Sequence, residues 1–256
     1  MPFSALEIAI LFAAAAGAGL MNALAGGGTV LTFPTLLLLG ESAIVANATS
    51  TIALLPGAAA SIAGYRREVA AHREWLPTLL LPSLLGGASG SLLLLATPEA
   101  FFARLAPWLV LFATLLFATQ WWRGSGAPAE PTPSAPLRAP SGAWLAQFAI
   151  AIYGGYFGAG IGILMLLVLT SFGLRDIHAM NGLKSYFGIC INGVAAVIFL
   201  LSGRVAWLAA PVMIAGAALG GFGGARFGRF LGQDRARMAV VLIGFALTAL
   251  LFVRRS

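Results

Sequence analysis

Ten apolar runs, separated by short polar or glycine-rich breaks, make up most of this chain. In the first half they fall at 5–25, 29–39, 44–64, 75–95 and 104–122, and in the second at 142–157, 161–172, 177–201, 205–225 and 237–253. Runs near 20 residues are long enough to cross about 30 Å of hydrocarbon as helices. The second run of each half is shorter, about 17 Å at 1.5 Å per residue. A glycine-rich break precedes it: Gly26-Gly27-Gly28 in the first half, Gly158-Ala159-Gly160 in the second. Glycine costs about 1 kcal/mol relative to alanine inside a helix, so these positions are expected to end one helix and start another. In lipid, irregular backbone is tolerated only where protein covers it or it lines a watery cavity. The short lengths favour a re-entrant hairpin in each half over two full crossings; both arrangements put every charged loop on the same side.

The runs repeat. Gly26 and Gly28 fall on Gly158 and Gly160; one inserted residue later, Gly40 falls on Gly173 and Ala46 on Ala179. Trp75 falls near Trp207, and Gly87-Ala88-Ser89-Gly90 near Gly221-Phe222-Gly223-Gly224. The period of about 133 residues reads as an internal duplication rather than a solenoid. Between the halves lies RGSGAPAEPTPSAPLRAPS, residues 123–141, rich in Pro, Ser and Ala and unable to bury a core. The expected organisation is a first repeat over 1–122, a linker over 123–141 and a second repeat over 142–256.

Composition settles the class. The chain is 60% hydrophobic and 9% charged, against about 25% charged in soluble domains, which makes it an all-α polytopic membrane protein. The net charge of +7 reflects arginines held in loops and calls for no nucleic acid. The single cysteine, Cys190, excludes an internal disulfide or a cysteine metal cluster. The N-terminus carries Glu7 and no basic residue before its apolar run; it lacks the positive n-region of a signal peptide, and the run is expected to be kept in the mature chain.

Charge then orients the halves. With an odd number of crossings per half, the loops at 65–74, 123–141, 173–176 and 226–237 share one face and hold ten arginines, against four on the other. An even number splits them eight to six. The positive-inside rule selects the first arrangement: the linker is cytoplasmic, both termini are outside, and the halves are inverted repeats, each a glycine-broken hairpin followed by three transmembrane helices. Inverted repeats with broken helices are a transporter pattern.

The run Gly26-Gly27-Gly28-Thr29-Val30-Leu31-Thr32-Phe33-Pro34, followed by Ala46-Asn47-Ala48-Thr49-Ser50, resembles the first-repeat signature of the sulfite exporter TauE/SafE family. Its second-repeat counterpart resembles Gly158-Ala159-Gly160-Ile161-Gly162, then His178-Ala179-Met180-Asn181-Gly182-Leu183-Lys184. The likeness covers nearly the whole chain, in order, with a linker in the middle. It implies an integral membrane permease for export or uptake of sulfite, organosulfonates or related small anions. Leu166 stands where the first repeat has Pro34, so the two breaks need not share one shape.

The charged residues inside the runs speak independently of that likeness. All eight acids fall in expected loops or helix ends, which argues against a proton relay built on carboxylates. Lys184 is the one basic residue well inside an apolar run. It either meets an anionic substrate or snorkels its ammonium to the interface. The neutral polar residues gather near the same places: Asn22 and Thr29 flank the first break, Tyr153 and Tyr156 precede the second, and Asn47, Thr49, Ser50 and Thr51 have Asn181, Lys184 and Ser185 as counterparts. Helix N-termini with unpaired N–H groups favour anions, whereas Ser and Thr also let helices pack closely in lipid. The expected substrate contacts are therefore Lys184, Asn22, Gly26, Gly27, Gly28, Thr29, Asn47, Thr49, Ser50, Thr51, Tyr156, Gly158, Gly160, Asn181 and Ser185.

The glycines at 86, 87, 90, 216, 220, 221, 223 and 224 read as packing positions. His72 reads as solvated and His178 as interfacial; two distant histidines and one cysteine give no metal spacing, and no cofactor is expected. The tryptophans at 75, 108, 121, 122, 144 and 207 read as an aromatic belt. The expected function is a secondary transporter, acting as an exporter, for a small anion such as sulfite or an organosulfonate, working by alternating access at the two breaks with a proton or sodium ion as coupling ion. A membrane enzyme would need a base or nucleophile constellation that the runs lack. A passive channel or structural subunit is the alternative.

Overall fold

The computed structural model describes residues 3–24, 27–122, 140, 142–231 and 233–253. Gly26 and nearly all of the linker lie outside them. Among the described residues there is no strand, and ten α-helices carry the chain: α1 (Ala5–Leu24), α2 (Thr29–Leu38), α3 (Ala43–Ala71), α4 (Leu76–Ala96), α5 (Glu99–Trp122), α6 (Gly142–Tyr156), α7 (Ile161–Ser171), α8 (Ile177–Leu201), α9 (Ala210–Leu231) and α10 (Gln233–Val253). Among the described residues, four stretches are long and apolar enough to span a membrane: Ala5–Asn22, Arg73–Ala96, Glu99–Thr119 and Ile177–Leu201. Helices α2 and α7 have only 10 and 11 residues, about half the length that about 30 Å of hydrocarbon requires.

The short helices end in the same way. The N–H of Glu41 donates to Leu36 C=O and that of Gly40 to Leu37 C=O; in α7 Leu174 donates to Leu169 and Gly173 to Thr170. Gly40 and Gly173 have φ of 97° and 90°. This is the Schellman cap, in which a left-handed glycine satisfies the last carbonyls. The caps of α3 and α8 differ. Asp176 caps α8 from its own chain position, Oδ1 accepting from the N–H of His178 at 2.8 Å and of Ala179 at 3.4 Å. Helix α3 is capped from elsewhere: Glu99, at the start of α5, accepts from the N–H groups of Ala43 and Ile44.

Packing exchanges one helix between the halves. Helix α1 packs most extensively on α9, and α4 on α6; α3 also meets α8 and α9, α8 meets α4, and α5 meets α10. The fourth helix of each half therefore sits among helices of the other half. Close approach depends on glycine: a β-carbon on Gly220 would run into the Ala16 carbonyl, one on Gly19 into that of Ala217, and one on Gly90 into that of Ile152. Backbones that touch this closely are a common way for helices to associate in lipid. Gly223 is an exception to the packing expectation, since its missing side chain faces open space.

Two further expectations change. The segment 65–71 is the end of α3 rather than a loop. At 29 residues the helix is about 43 Å long, so its last turns, with exposed Arg66 and Arg67, extend past the hydrocarbon. Trp75 is not a belt residue. It is 1% exposed, in a core with Leu79, Ala151, Met165 and Leu183, because the 3₁₀ turn Arg73–Trp75 directs it into the α4–α6–α8 packing. Trp108, Trp122, Trp144 and Trp207 are exposed, as a belt requires.

Candidate substrate cavity between the two glycine breaks

Both breaks, α3 and α8 converge on a cavity of about 120 Å³. At the first break Gly27 has φ of 94°, a conformation that only glycine adopts without penalty, while Gly28 is helical at φ −53°. The ring of Phe117 lies where a Gly27 β-carbon would stand. Asn22, in the last turn of α1, reaches forward so that its Oδ1 accepts from the Gly28 N–H at 2.8 Å. At the second break Gly158 and Gly160 both have φ of 81°, and the Tyr153 hydroxyl donates to the Ala159 carbonyl at 2.7 Å. Each break is thus tied by a side chain from six residues earlier, the first through an N–H and the second through a C=O. The two breaks differ in shape.

The remaining walls are single helix faces. Helix α3 contributes Thr51, Leu54, Leu55 and Ala58; helix α8 contributes Lys184, Ser185, Gly188, Ile189 and Asn192. These spacings of three, four and one residues are those of one helical face. Thr51 and Lys184 are 133 residues apart, the period expected of a duplication. Among the described residues, Lys184 is the one charged residue on the cavity wall. It lies about 10 Å along α8 from its start, and its ammonium donates to Asn181 Oδ1 at 2.9 Å. Its aliphatic stem crosses the first turn of α7, where a β-carbon on Gly162 would stand 3.1 Å from the lysine Cδ. In that turn the N–H groups of Ile163 and Leu164 donate to the Gly160 carbonyl. Those of Gly160 and Gly162, both on the cavity wall, meet no protein acceptor among the described residues. A cation and the positive end of a helix dipole therefore share one end of the cavity.

Of the residues expected from sequence, Asn22, Gly27, Thr29, Thr51, Gly158, Gly160, Lys184 and Ser185 line the cavity. Gly28, Asn47, Thr49, Ser50, Tyr156 and Asn181 do not, and each has another contact. Asn47 is fully buried; its Nδ2 donates at 3.2 Å to the carbonyl of Tyr156, the last residue of α6, which has no intrahelical partner. Its Oδ1 has no partner among the described residues. Thr49 Oγ1 accepts from the Ala206 N–H at 2.9 Å, and Ser50 shares a hydrogen bond with Thr32 of α2. The Tyr156 hydroxyl is 3.4 Å from Thr97 Oγ1. His178 is exposed, and the His72 ring nitrogen is 3.1 Å from the Glu68 carbonyl.

Sequence reading missed Gly162, Gly188 and Asn192. Stepping four and eight residues from Lys184 would have found the last two. It also missed the aromatic clamp on the second break: Phe157 meets Phe33 of α2 edge-on at 5.2 Å and Phe102 of α5 at 6.4 Å, fastening the break to the first half.

Fold and site together describe a multi-pass α-helical membrane protein with a cavity at paired helix breaks. The chain belongs to the family described as Sulfite exporter TauE/SafE, which matches residues 11–251. A probable membrane transporter protein of Haemophilus influenzae is 29% identical over 245 residues, 94% of this chain and 93% of the relative. The probable membrane transporter protein YfcA of Escherichia coli K12 is 27% identical over 254 residues, 96% of this chain and 90% of the relative. The probable membrane transporter protein ORF9 of a Sinorhizobium species is 27% identical over 251 residues, with 94% and 90% coverage. No solved structure matches the chain.

Proposed function

We propose that this protein is a secondary transporter, acting as an exporter, for a small anion of the sulfite or organosulfonate type. The observation that carries the reading is the cavity itself, which joins both glycine breaks to helices α3 and α8 and holds Lys184 as its one charged lining residue among the described residues. The substrate's anionic head rests between Lys184 and the N-terminus of α7, with Asn22, Thr29, Thr51 and Ser185 as polar neighbours. The halves are inverted repeats with the linker in the cytoplasm, supported by the arginine asymmetry, the twin caps of α2 and α7 and the exchange of α4 and α9. Alternating access follows from rocking one half against the other around the breaks, driven by a proton or sodium gradient.

The test is uptake into proteoliposomes of a panel containing sulfite, sulfate, alkanesulfonates and carboxylates, with and without ionophores. Accumulation of a sulfur anion against its gradient, abolished when the proton or sodium gradient collapses, supports the carrier. Flux that only equilibrates identifies a passive channel. No flux of any anion overturns the reading.

A further inference from the structure

The helical glycines of this protein do two different things. At Gly19, Gly90, Gly155 and Gly220 a β-carbon would run into the backbone of a neighbouring helix, so the missing side chain is what lets helices touch. Gly188 has no such reason. It lies in the middle of α8, outside the positive-φ glycines, and nothing stands within 4 Å of where its β-carbon would be. Alanine is the better helix former, so neither backbone nor packing calls for glycine here. Its position supplies the reason: Gly188 is on the cavity wall, one turn beyond Lys184 and one turn before Asn192, about 6 Å from each along the axis. Its counterpart 133 residues earlier is Leu55, which lines the same cavity with a full side chain. The cavity is therefore asymmetric at this level, walled by leucine on one helix and open at the other.

We infer that Gly188 is the size-determining position of the substrate site: the space left by its missing side chain holds the body of an anion whose head is at Lys184. The inference rests on the proposed reading of the cavity as the transport site. Apolar neighbours Leu54, Leu55 and Ile189 make that space suited to a short hydrocarbon chain. Added bulk at 188 takes up that space and discriminates by chain length, because extra methylenes forced into a filled space are destabilising. Lys184, a full turn away, continues to hold the head.

The experiment measures initial uptake of methane-, ethane-, propane- and butanesulfonate by reconstituted full-length wild type, Gly188→Ala, Gly188→Leu and Gly193→Ala. Gly193 also has open space at its β-carbon position but is not on the cavity wall, so it controls for the added methyl group in α8. For the longest sulfonate the wild type carries, uptake relative to methanesulfonate is expected to fall about tenfold in Gly188→Ala and further in Gly188→Leu, with Gly193→Ala matching wild type. A chain-length profile in both Gly188 variants that equals wild type, or a loss uniform across all lengths, overturns the assignment. A wild type that carries none of these sulfonates overturns the assignment too, and one that also carries no anion of the wider panel overturns the cavity reading itself.

Discussion

The stem of Lys184 lies across Gly162, the second residue of α7, so closely that a β-carbon there would stand 3.1 Å from the lysine Cδ. Helix α8 in this way brings a cation to the first turn of a short helix that begins at a glycine break. The hydrogen bond from the ammonium to Asn181, 2.9 Å away, fixes the end of a side chain that would otherwise sample many rotamers. The contact with Gly162 depends on the break that starts α7 beside α8.

Replacing Lys184 tests the charge. Lys184→Gln is expected to raise the anion concentration for half-maximal flux about tenfold or more, and Lys184→Arg to restore only part of the loss, because a planar guanidinium cannot replace a compact ammonium. The measurement is proteoliposome uptake per amount of protein. Equal flux in wild type and Lys184→Gln would mean that the ammonium serves only to reach the interface.

The first break is tested by comparing two left-handed glycines. Gly27→Ala meets both a backbone penalty of about 1–2 kcal/mol and the ring of Phe117, and is expected to lose transport. Gly40→Ala carries a similar backbone penalty, with φ of 97° and nothing within 4 Å. It is expected to lower the melting temperature in detergent while keeping flux per folded protein. Retained flux in Gly27→Ala would reduce the first break to a structural turn.

Asn47 is predicted to act on stability rather than on affinity. Asn47→Ala leaves the Tyr156 carbonyl without its donor, a cost of about 1–3 kcal/mol for a buried group. A clear fall in melting temperature with an unchanged half-maximal concentration is the expected result. An unchanged melting temperature would show that this contact between the halves contributes little.

Orientation is open to direct labelling. On a Cys190→Ser background, His72→Cys, between α3 and α4, is expected to react with an impermeant maleimide only from the cytoplasmic side. Ser202→Cys, after α8, is expected to react only from outside. Reaction of both from the same side rules out inverted repeats with this arginine asymmetry.

Hydropathy and glycine spacing alone determined the number, order and approximate ends of the helices, because spanning length and helix-breaking are local properties of the chain. One pairing of the sequence alignment has a local counterpart for the same reason: Gly40 and Gly173 aligned in sequence and close caps of the same form. Lys184 stood out because a cation in an apolar run is costly wherever it points. What each neighbouring polar residue touches was not legible. Asn47 and Thr49 looked as much like substrate ligands as Thr51 does, yet they turn to the Tyr156 carbonyl and the Ala206 N–H, while Thr51 faces the cavity. Trp75 read as interfacial until the exchange of α4 into the other half buried it. Gly188 and Gly220 are the same letter in the same kind of helix, one facing a cavity and the other a carbonyl. Only the tertiary structure decides such cases, because a side chain's role depends on which distant helix packs against its face, and sequence periodicity records the face without naming its neighbour.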